Sequence, residues 1–256
     1  MVREPIRLSV SKITTYKSCP KKYYYRYIEK LPVCDFWAHL IIGNFVHDTL
    51  EAWARRIMNG ESAGEAMIAA FRDTALSSIY KHKVEKFLPE IKPWLKSFIL
   101  HYEAQRFDPI AVEEEFNFKY RNITMVGRID RIDSISPSKI RIVDYKTTKN
   151  PNYLTDMQLG IYNIGVKYGS LSGRYGNKDV EACYVLLRHD MRDTPYYFTM
   201  DQLIHFLDEA ESAADQIAGD TTWETKPSNL CQSCDFFIPC TQRGNEEGEW
   251  GHCDGL

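Results

Sequence analysis

The stretch ITMVGRIDRIDSISPSKIRIVDYKTT, residues 123–148, decides the fold. Two runs rich in β-branched residues, 123–132 and 139–148, meet at Ser-Pro-Ser-Lys (136–139), a turn composition. They predict adjacent strands joined by a hairpin. Residues i and i+2 of a strand share a face, so Asp144 and Lys146 project together, and pairing of the strands sets Asp130 beside them at one end of the sheet. Two carboxylates and a lysine gathered there suit phosphoryl chemistry. The carboxylates hold a hard divalent cation through oxygen, and the ammonium stabilises the attacking hydroxide or the developing phosphate charge. Gly127 is expected to admit a ligand or another backbone at close range. Asp133, three residues beyond Asp130, is expected on the opposite face.

Outward from this hairpin the pattern stays legible. AVEEEFNFKY (111–120) predicts a preceding strand, on which Glu113 or Glu114 is a candidate to face the site. A helix is predicted over 154–168, where Gln158 and Tyr162 at i and i+4 share a face. A strand at 180–189, a partner at 196–200 and a helix at 201–219 follow. Upstream, helical patterns cover 9–28, 38–58, 63–80 and 93–107. In the first of these, Ser9 or Ser11 can cap and Pro20 suits the first turn of a continuation. The second carries Leu40, Val46, Leu50, Trp53 and Ile57 on its apolar side, and His47 in its middle is a candidate third metal ligand that would favour Mn²⁺. The order implies an α/β fold with one sheet. We expect one compact unit: a helical part (1–108) carrying Cys19 and His47, a core (109–220) and a cysteine-rich tail (221–256). No G-x-x-x-x-G-K-[ST] loop occurs, so the 256 residues contain no NTPase motor of that kind.

With 256 residues and 44% apolar composition, a mostly disordered chain is excluded. No run of 18 apolar residues occurs, so no membrane partner is expected, and the beginning MVREPIRLSVSK leads us to expect a cytoplasmic protein. Net charge is −3, but residues 1–30 carry eight basic and two acidic side chains, and residues 201–256 carry two and twelve. A basic face of this kind suits a polyanion. Within it Lys21, Lys22 and Arg26 interleave with Tyr23, Tyr24, Tyr25 and Tyr27, a mixture that suits single-stranded nucleic acid by stacking and phosphate contact. Seven cysteines without an export signal argue for metal or cluster ligation over a disulfide scaffold. Cys231-x2-Cys234-x5-Cys240 has ligand-like spacing, one short of four, and the fourth ligand is Cys19, His252 or Cys253. Cys34 and Cys183 read as ordinary residues.

GRID (127–130), VDYKT (143–147) and Q-L-x-x-Y (158–162), preceded by His47 in GNFVHDTLEAW, together resemble the PD-(D/E)XK nuclease superfamily, and within it the RecB-like branch. With one cysteine upstream and a C-x2-C-x5-C set downstream, the chain is similar to the iron–sulfur RecB-like nucleases, which include CRISPR spacer-acquisition nucleases and AddAB-type nuclease domains. The resemblance implies a restriction-endonuclease-like core, a central mixed sheet in α-β-β-β-α-β order, with an iron–sulfur tail. It implies Mg²⁺ or Mn²⁺ on His47, Asp130, Asp144 and the Tyr145 backbone carbonyl, with Lys146, Gln158 and Tyr162 completing the catalytic set. It implies a [4Fe–4S] cluster on Cys19, Cys231, Cys234 and Cys240, a zinc site on the same four being the alternative. Asp144 stands where some relatives use Glu. The implied activity is exonucleolytic hydrolysis of single-stranded DNA ends in recombination or repair, alone or with a helicase or recombination partner. Two rivals are an end-trimming partner in CRISPR adaptation or phage recombination and, from another class, a non-catalytic iron–sulfur DNA-binding protein.

Overall fold

A computed structural model describes residues 5–33, 38–105 and 107–242. Cys34, His252 and Cys253 lie outside the described residues. In chain order the elements are β1 (Ile6–Leu8), α1 (Val10–Ser18), α2 (Pro20–Tyr23) running into a π-turn (Tyr24–Ile28), α3 (Ala38–Met58), α4 (Ala63–Leu76), α5 (Leu88–Gln105), β2 (Asp108–Tyr120), β3 (Ile123–Ser136) and β4 (Lys139–Lys146). Then follow α6 (Asp156–Lys167), α7 (Ser172–Tyr175), β5 (Asp179–Leu186), β6 (Pro195–Tyr196), α8 (Met200–Gly219) and α9 (Phe237–Gln242). No helix among the described residues is long and apolar enough to cross a membrane.

Three elements differ from the sequence expectation, each for a local reason. The helix expected over 9–28 starts on the Ser9 cap, which accepts from Lys12 N at 3.3 Å, but breaks at Cys19, where φ is −165° and ψ 111°. Proline disfavours the helical region for its predecessor, so Pro20 holds Cys19 extended and opens a new helix. The strand expected over 196–200 pairs only at Pro195–Tyr196, because Thr199 instead caps α8. Its hydroxyl accepts from Gln202 N (3.3 Å) while its own amide donates to Gln202 Oε1 (2.9 Å). β1, inside a region expected to be helical, is three residues long, too short to show an alternation.

The sheet runs β1-β3-β4-β5-β6, with β2 also on β3. β2 pairs antiparallel along nearly all of β3, from Asp108↔Ser134 to Tyr120↔Ile123. β1 pairs parallel with residues 123–125 and β4 antiparallel with residues 131–136, so they divide the other edge of β3 between them. Residues 126–130 pair with neither. This opening, with Asp130 at its end, is where the candidate site lies.

Both strands also change face there. Met125 and Ile129 pack with Phe116 and Phe118 in one core, yet further along it is Ile132 and Ala111 that join this core, an odd-to-even shift on β3 and the reverse on β2. The shift occurs at Glu113, whose φ is +52°, and at Asp130, which lies opposite it. A left-handed non-glycine residue inside a strand re-aims the side chains beside it. It does so here without a bulge: the register is constant from Ala111↔Ile132 to Tyr120↔Ile123 and shifts only between Pro109 and Ala111. One core face is covered by α1, α6 and α8, the other by α3, α4 and α5. On the first face the Phe116 ring is seated between two glycines. A Cβ on Gly127 would come within 2.5 Å of that ring and one on Gly165 within 2.3 Å. Gly127 therefore admits a side chain, where a ligand or backbone was expected.

Asp133 does point away from the site, into the second core. It is fully buried against Arg131, which donates to Asp133 Oδ2 (2.8 Å) and to the Tyr145 hydroxyl (2.6 Å). The Arg131 guanidinium lies 5.5–6.0 Å from the ring centroids of Tyr145, Trp53, Phe98 and Tyr102. Removing one partner of such a pair leaves a buried charge uncompensated, which costs about 3–5 kcal/mol. Asp133→Ala is therefore expected to lower the urea midpoint by that equivalent. A midpoint equal to that of wild type would show that the pair does not hold this core.

Candidate active site

Asp144 ends up at the floor of the opening because it is the sixth residue of β4, registered beside Tyr184 of β5 and covered by α6. It is 2% exposed. Its Oδ1 accepts from Gln158 Nε2 at 2.7 Å and from the Tyr162 hydroxyl at 3.3 Å. Its Oδ2 receives no hydrogen bond: the Lys146 ammonium is 2.6 Å away but off the bonding direction. Lys146 donates instead to Gln158 Oε1 at 3.1 Å, and Gln158 Nε2 also reaches the Tyr162 oxygen at 2.8 Å. One turn of α6 thus fixes Asp144 Oδ1, the Tyr162 oxygen and the ammonium through a single amide. Burial, then Asp144, pushes the Tyr162 phenol far up, so it is a neutral donor.

Asp130 closes the site from β3. Its Oδ2 accepts from the Tyr145 backbone N–H at 2.8 Å and lies 3.4 Å from His47 Nδ1. The His47 ring, presented by α3, is in turn bonded by the Tyr145 backbone. Burial, then Asp144, raises the Asp130 carboxyl well above the usual carboxylate range. Burial lowers the His47 imidazole, Asp144 opposing, which favours the neutral ring a metal needs.

Glu113, which the sequence left level with Glu114, is the one that faces the site. Burial and then Asp130 push its carboxyl up to about 7, and Arg128 Nε pairs with it at 2.6 Å. Glu114 pairs with Arg174, on α7. Alternation alone could not have separated the two, because the strand changes face at Glu113 itself.

These residues fit a divalent cation. Three carboxylates are crowded into a largely buried opening against Lys146 and Arg128, one carboxylate oxygen lacks a hydrogen bond, and a neutral imidazole and a backbone carbonyl stand beside Asp130. A bound cation would relieve the repulsion that burial imposes. Among the described residues no three His, Cys, Asp or Glu side chains form a ready-made cage. Asp144 leans on Lys146 and Gln158, while His47 and Asp130 lean on each other and on Tyr145.

The cysteine tail meets α1 and α2. Cys240 carries a thiol raised by burial and then by Cys19, Cys234 and Cys231, so the four share one neighbourhood. Ser228 N–H donates to Cys231 Sγ at 3.3 Å. Cys183, by contrast, is buried in β5. The proposed DNA contacts are partly engaged here: Lys22 and Arg26 lie 3.6 and 3.8 Å from Asp235, and Lys21 lies over the Tyr24 and Tyr25 rings.

The family model for the PD-(D/E)XK nuclease superfamily matches residues 7–241. Among curated proteins, the chain is 24% identical over 197 residues to a subunit of the ATP-dependent helicase/deoxyribonuclease of Clostridium tetani, covering 61% of this chain and 17% of that protein. It is 26% identical over 206 residues to the corresponding helicase/deoxyribonuclease protein of Acetivibrio thermocellus, covering 62% and 17%. The chain thus spans about a sixth of the length of these relatives. A solved Eubacterium rectale structure, of a protein assigned as an exonuclease, superposes with a TM-score of 0.54 at 13% identity, over 96% of this chain and 90% of that one. The last is a likeness of fold. The match over 7–241 includes every site residue described above, and the chain belongs to the PD-(D/E)XK nuclease superfamily.

Proposed function

We propose that the chain is a divalent-metal-dependent deoxyribonuclease acting on single-stranded DNA ends. The observation that carries this reading is the Asp144–Gln158–Lys146 network set beside Asp130 and His47. Mg²⁺ or Mn²⁺ would be held by His47, Asp130, Asp144 and the Tyr145 carbonyl, with Glu113 alongside. When bound, the cation supplies Lewis acidity toward the phosphate and lowers the pKa of water. Lys146, held by Gln158, places a fixed positive charge where negative charge grows on the phosphate or nucleophile. Gln158 keeps the ammonium and the Asp144 carboxylate in mutual register, and Tyr162 donates to Asp144 without competing as an anion. Water adds to phosphorus, one P–O ester bond breaks, and a terminal phosphate and a hydroxyl leave.

The relatives named for helicase and deoxyribonuclease activity support DNA as substrate and a motor-bearing partner. The 256 residues contain no G-x-x-x-x-G-K-[ST] loop, so ATP-driven movement along DNA would come from outside them. The intact carboxylate–lysine set favours this reading over a non-catalytic DNA-binding protein. For the cysteines we retain a [4Fe–4S] cluster on Cys19, Cys231, Cys234 and Cys240, supported by the nearness of the other three thiols to Cys240 and the N–H···S bond at Cys231.

Asp144→Asn and Lys146→Gln are expected to lower cleavage of end-labelled single-stranded DNA by at least about 100-fold, the scale of losing a preorganised electrostatic group. DNA binding should persist, and cleavage at the wild-type rate by either variant would displace the assigned site.

Asp130 and Glu113 have folded-state pKa values above their unfolded ones, so the folded protein holds these protons more tightly. In chelator, the stability these two groups contribute is fully present below the ordinary carboxylate range and is lost as pH rises through about 7, the value for Glu113, and about 8, that for Asp130. Mn²⁺ should cancel that loss, with the larger Tm increase above those values than below them. A metal-induced shift that ignores pH would argue against ligation by these carboxylates.

Protein purified without oxygen is expected to be brown with broad visible absorbance, and Cys19→Ser to bleach it while Cys183→Ser does not. Colourless, zinc-loaded protein would replace the cluster with the zinc alternative.

A further inference from the structure

Beside Lys146 the site opens into a cavity that the chemistry above does not use. Asp144 and Lys146 of β4 lie in register with Tyr184 and Leu186 of β5, and Leu186 is bridged in turn to Arg192. Two strand spacings place the Arg192 backbone about 10 Å from that of Lys146. The Lys146 ammonium stands 5.3 Å from the centroid of the Tyr184 ring. That ring, with Leu186, Tyr196, Asn152, Thr194 and Arg192, lines a cavity of ≈ 120 Å³. Its walls are fixed: the Tyr184 hydroxyl donates to the Thr155 carbonyl at 2.7 Å, and the Tyr184 and Tyr196 rings meet edge to face at 6.3 Å and 77°. Arg192 is exposed and makes no ion pair among the described residues.

We propose that this cavity seats the base of a nucleotide adjoining the scissile phosphate, with Arg192 on the neighbouring backbone phosphate. The inference rests on the nuclease reading above and extends it to how the strand is held. A strand with one phosphate at Lys146 must leave the site across β5 or along the sheet end, and β5 and β6 offer the aromatic walls. The half-buried Tyr196 ring, backed by the buried Tyr184 and Leu186, gives an apolar surface that any base can use, while Asn152 and Thr194 supply polar groups without imposing one sequence. Asp156, whose charge bears on both tyrosines, disfavours a phosphate inside the cavity and leaves the base as its occupant. Arg192 at the rim meets the phosphate. A base seated here is unpaired, so the cavity selects single strands or frayed ends at the site of chemistry itself. The basic, tyrosine-rich N-terminal segment is not needed for that selection.

The test uses the full chain and end-labelled single-stranded oligonucleotides in which one abasic residue is moved along the strand. With wild type, cleavage at the phosphate beside the abasic residue should fall about 10-fold, within the span for losing one stacked base. Tyr196→Ala should raise KM about 5- to 100-fold, by the same span, and should abolish the abasic penalty. Tyr196→Phe should recover most of the loss, and Arg192→Gln should raise KM more than it lowers kcat. An equal abasic penalty in wild type and Tyr196→Ala, or wild-type KM in both Tyr196→Ala and Arg192→Gln, would overturn the proposal. If wild type cleaves no DNA, the nuclease reading fails and the same oligonucleotides, measured for binding by anisotropy in chelator, decide the cavity alone. Affinity that drops with the abasic residue in wild type but not in Tyr196→Ala supports it; affinity indifferent to the abasic residue overturns it.

Discussion

Carboxylate crowding in the opening of β3 is the constraint on which the rest of the structure turns. Asp130, Asp144 and Glu113 approach one another in a place where water is scarce: Asp144 penalises the ionised form of Asp130, and Asp130 that of Glu113. The fold tolerates this by surrounding the three with donors and cations. The Tyr145 amide bonds Asp130, Gln158 and Tyr162 bond Asp144, and Lys146 and Arg128 stand against Asp144 and Glu113. No partner in that set is spare. The arrangement holds anions close together at some cost in stability, which is characteristic of a place where charge is to be neutralised by something bound.

The opening exists because β3 changes partner and face at the same residue pair. Were β4 to pair with β3 over its whole length, residues 126–130 would be occupied by a ladder and Asp130 would have no free approach. Were the alternation unbroken, Asp130 and Ile132 would lie on one face and Ile129 on the other, whereas Ile129 and Ile132 share a core. The slip therefore allows a polar side chain to be turned into the opening while apolar neighbours on both sides keep the core closed. Arg131 and Asp133 are a consequence on the far side. Polar residues delivered to the second core pair with one another, and through its hydroxyl they hold Tyr145, whose own amide bonds Asp130.

Much of this was legible from the residues. The hairpin, the shared face of Asp144 and Lys146, and the pairing of Gln158 with Tyr162 follow from periods of 2 and 3.6, and the structure gathers these side chains with His47 and Asp130. Legibility stopped where the period itself was broken. Glu113 and Glu114 could not be separated by alternation, because the strand changes face at Glu113, the left-handed residue itself. Gly127 was assigned to a ligand or backbone because the sequence does not reveal that the ring of Phe116, on the preceding strand, folds over it. The tyrosines and lysines near residue 20 suited a nucleic acid by composition, yet contacts from residues 220–236, distant in sequence, engage several of them. Tyr23 is stacked on Trp223 at 5.9 Å and 6°, and Asp235 attracts Lys22 and Arg26.

Those same contacts bear on what a group bound by the four thiols would do. Cys19 and Cys231 are far apart in sequence, and closing a loop of that length costs roughly 5 kcal/mol. If the tail were fastened only through sulfur, ligand binding would have to supply all of it. Instead Tyr16 donates to Asp220 at 2.8 Å, Lys226 donates to the Lys17 carbonyl at 3.0 Å, and the Tyr25 and Phe236 rings meet at 5.8 Å, with Phe236 1% exposed. Aromatic burial and hydrogen bonds already bring the tail to the N-terminal helices, so closure is met largely by ordinary packing. A cluster or zinc ion on these thiols would then lock an interface that the side chains have assembled. Its loss would loosen α9 and the turn before it first, while the sheet, whose cores exclude these four cysteines, would keep the carboxylates and Lys146 in place.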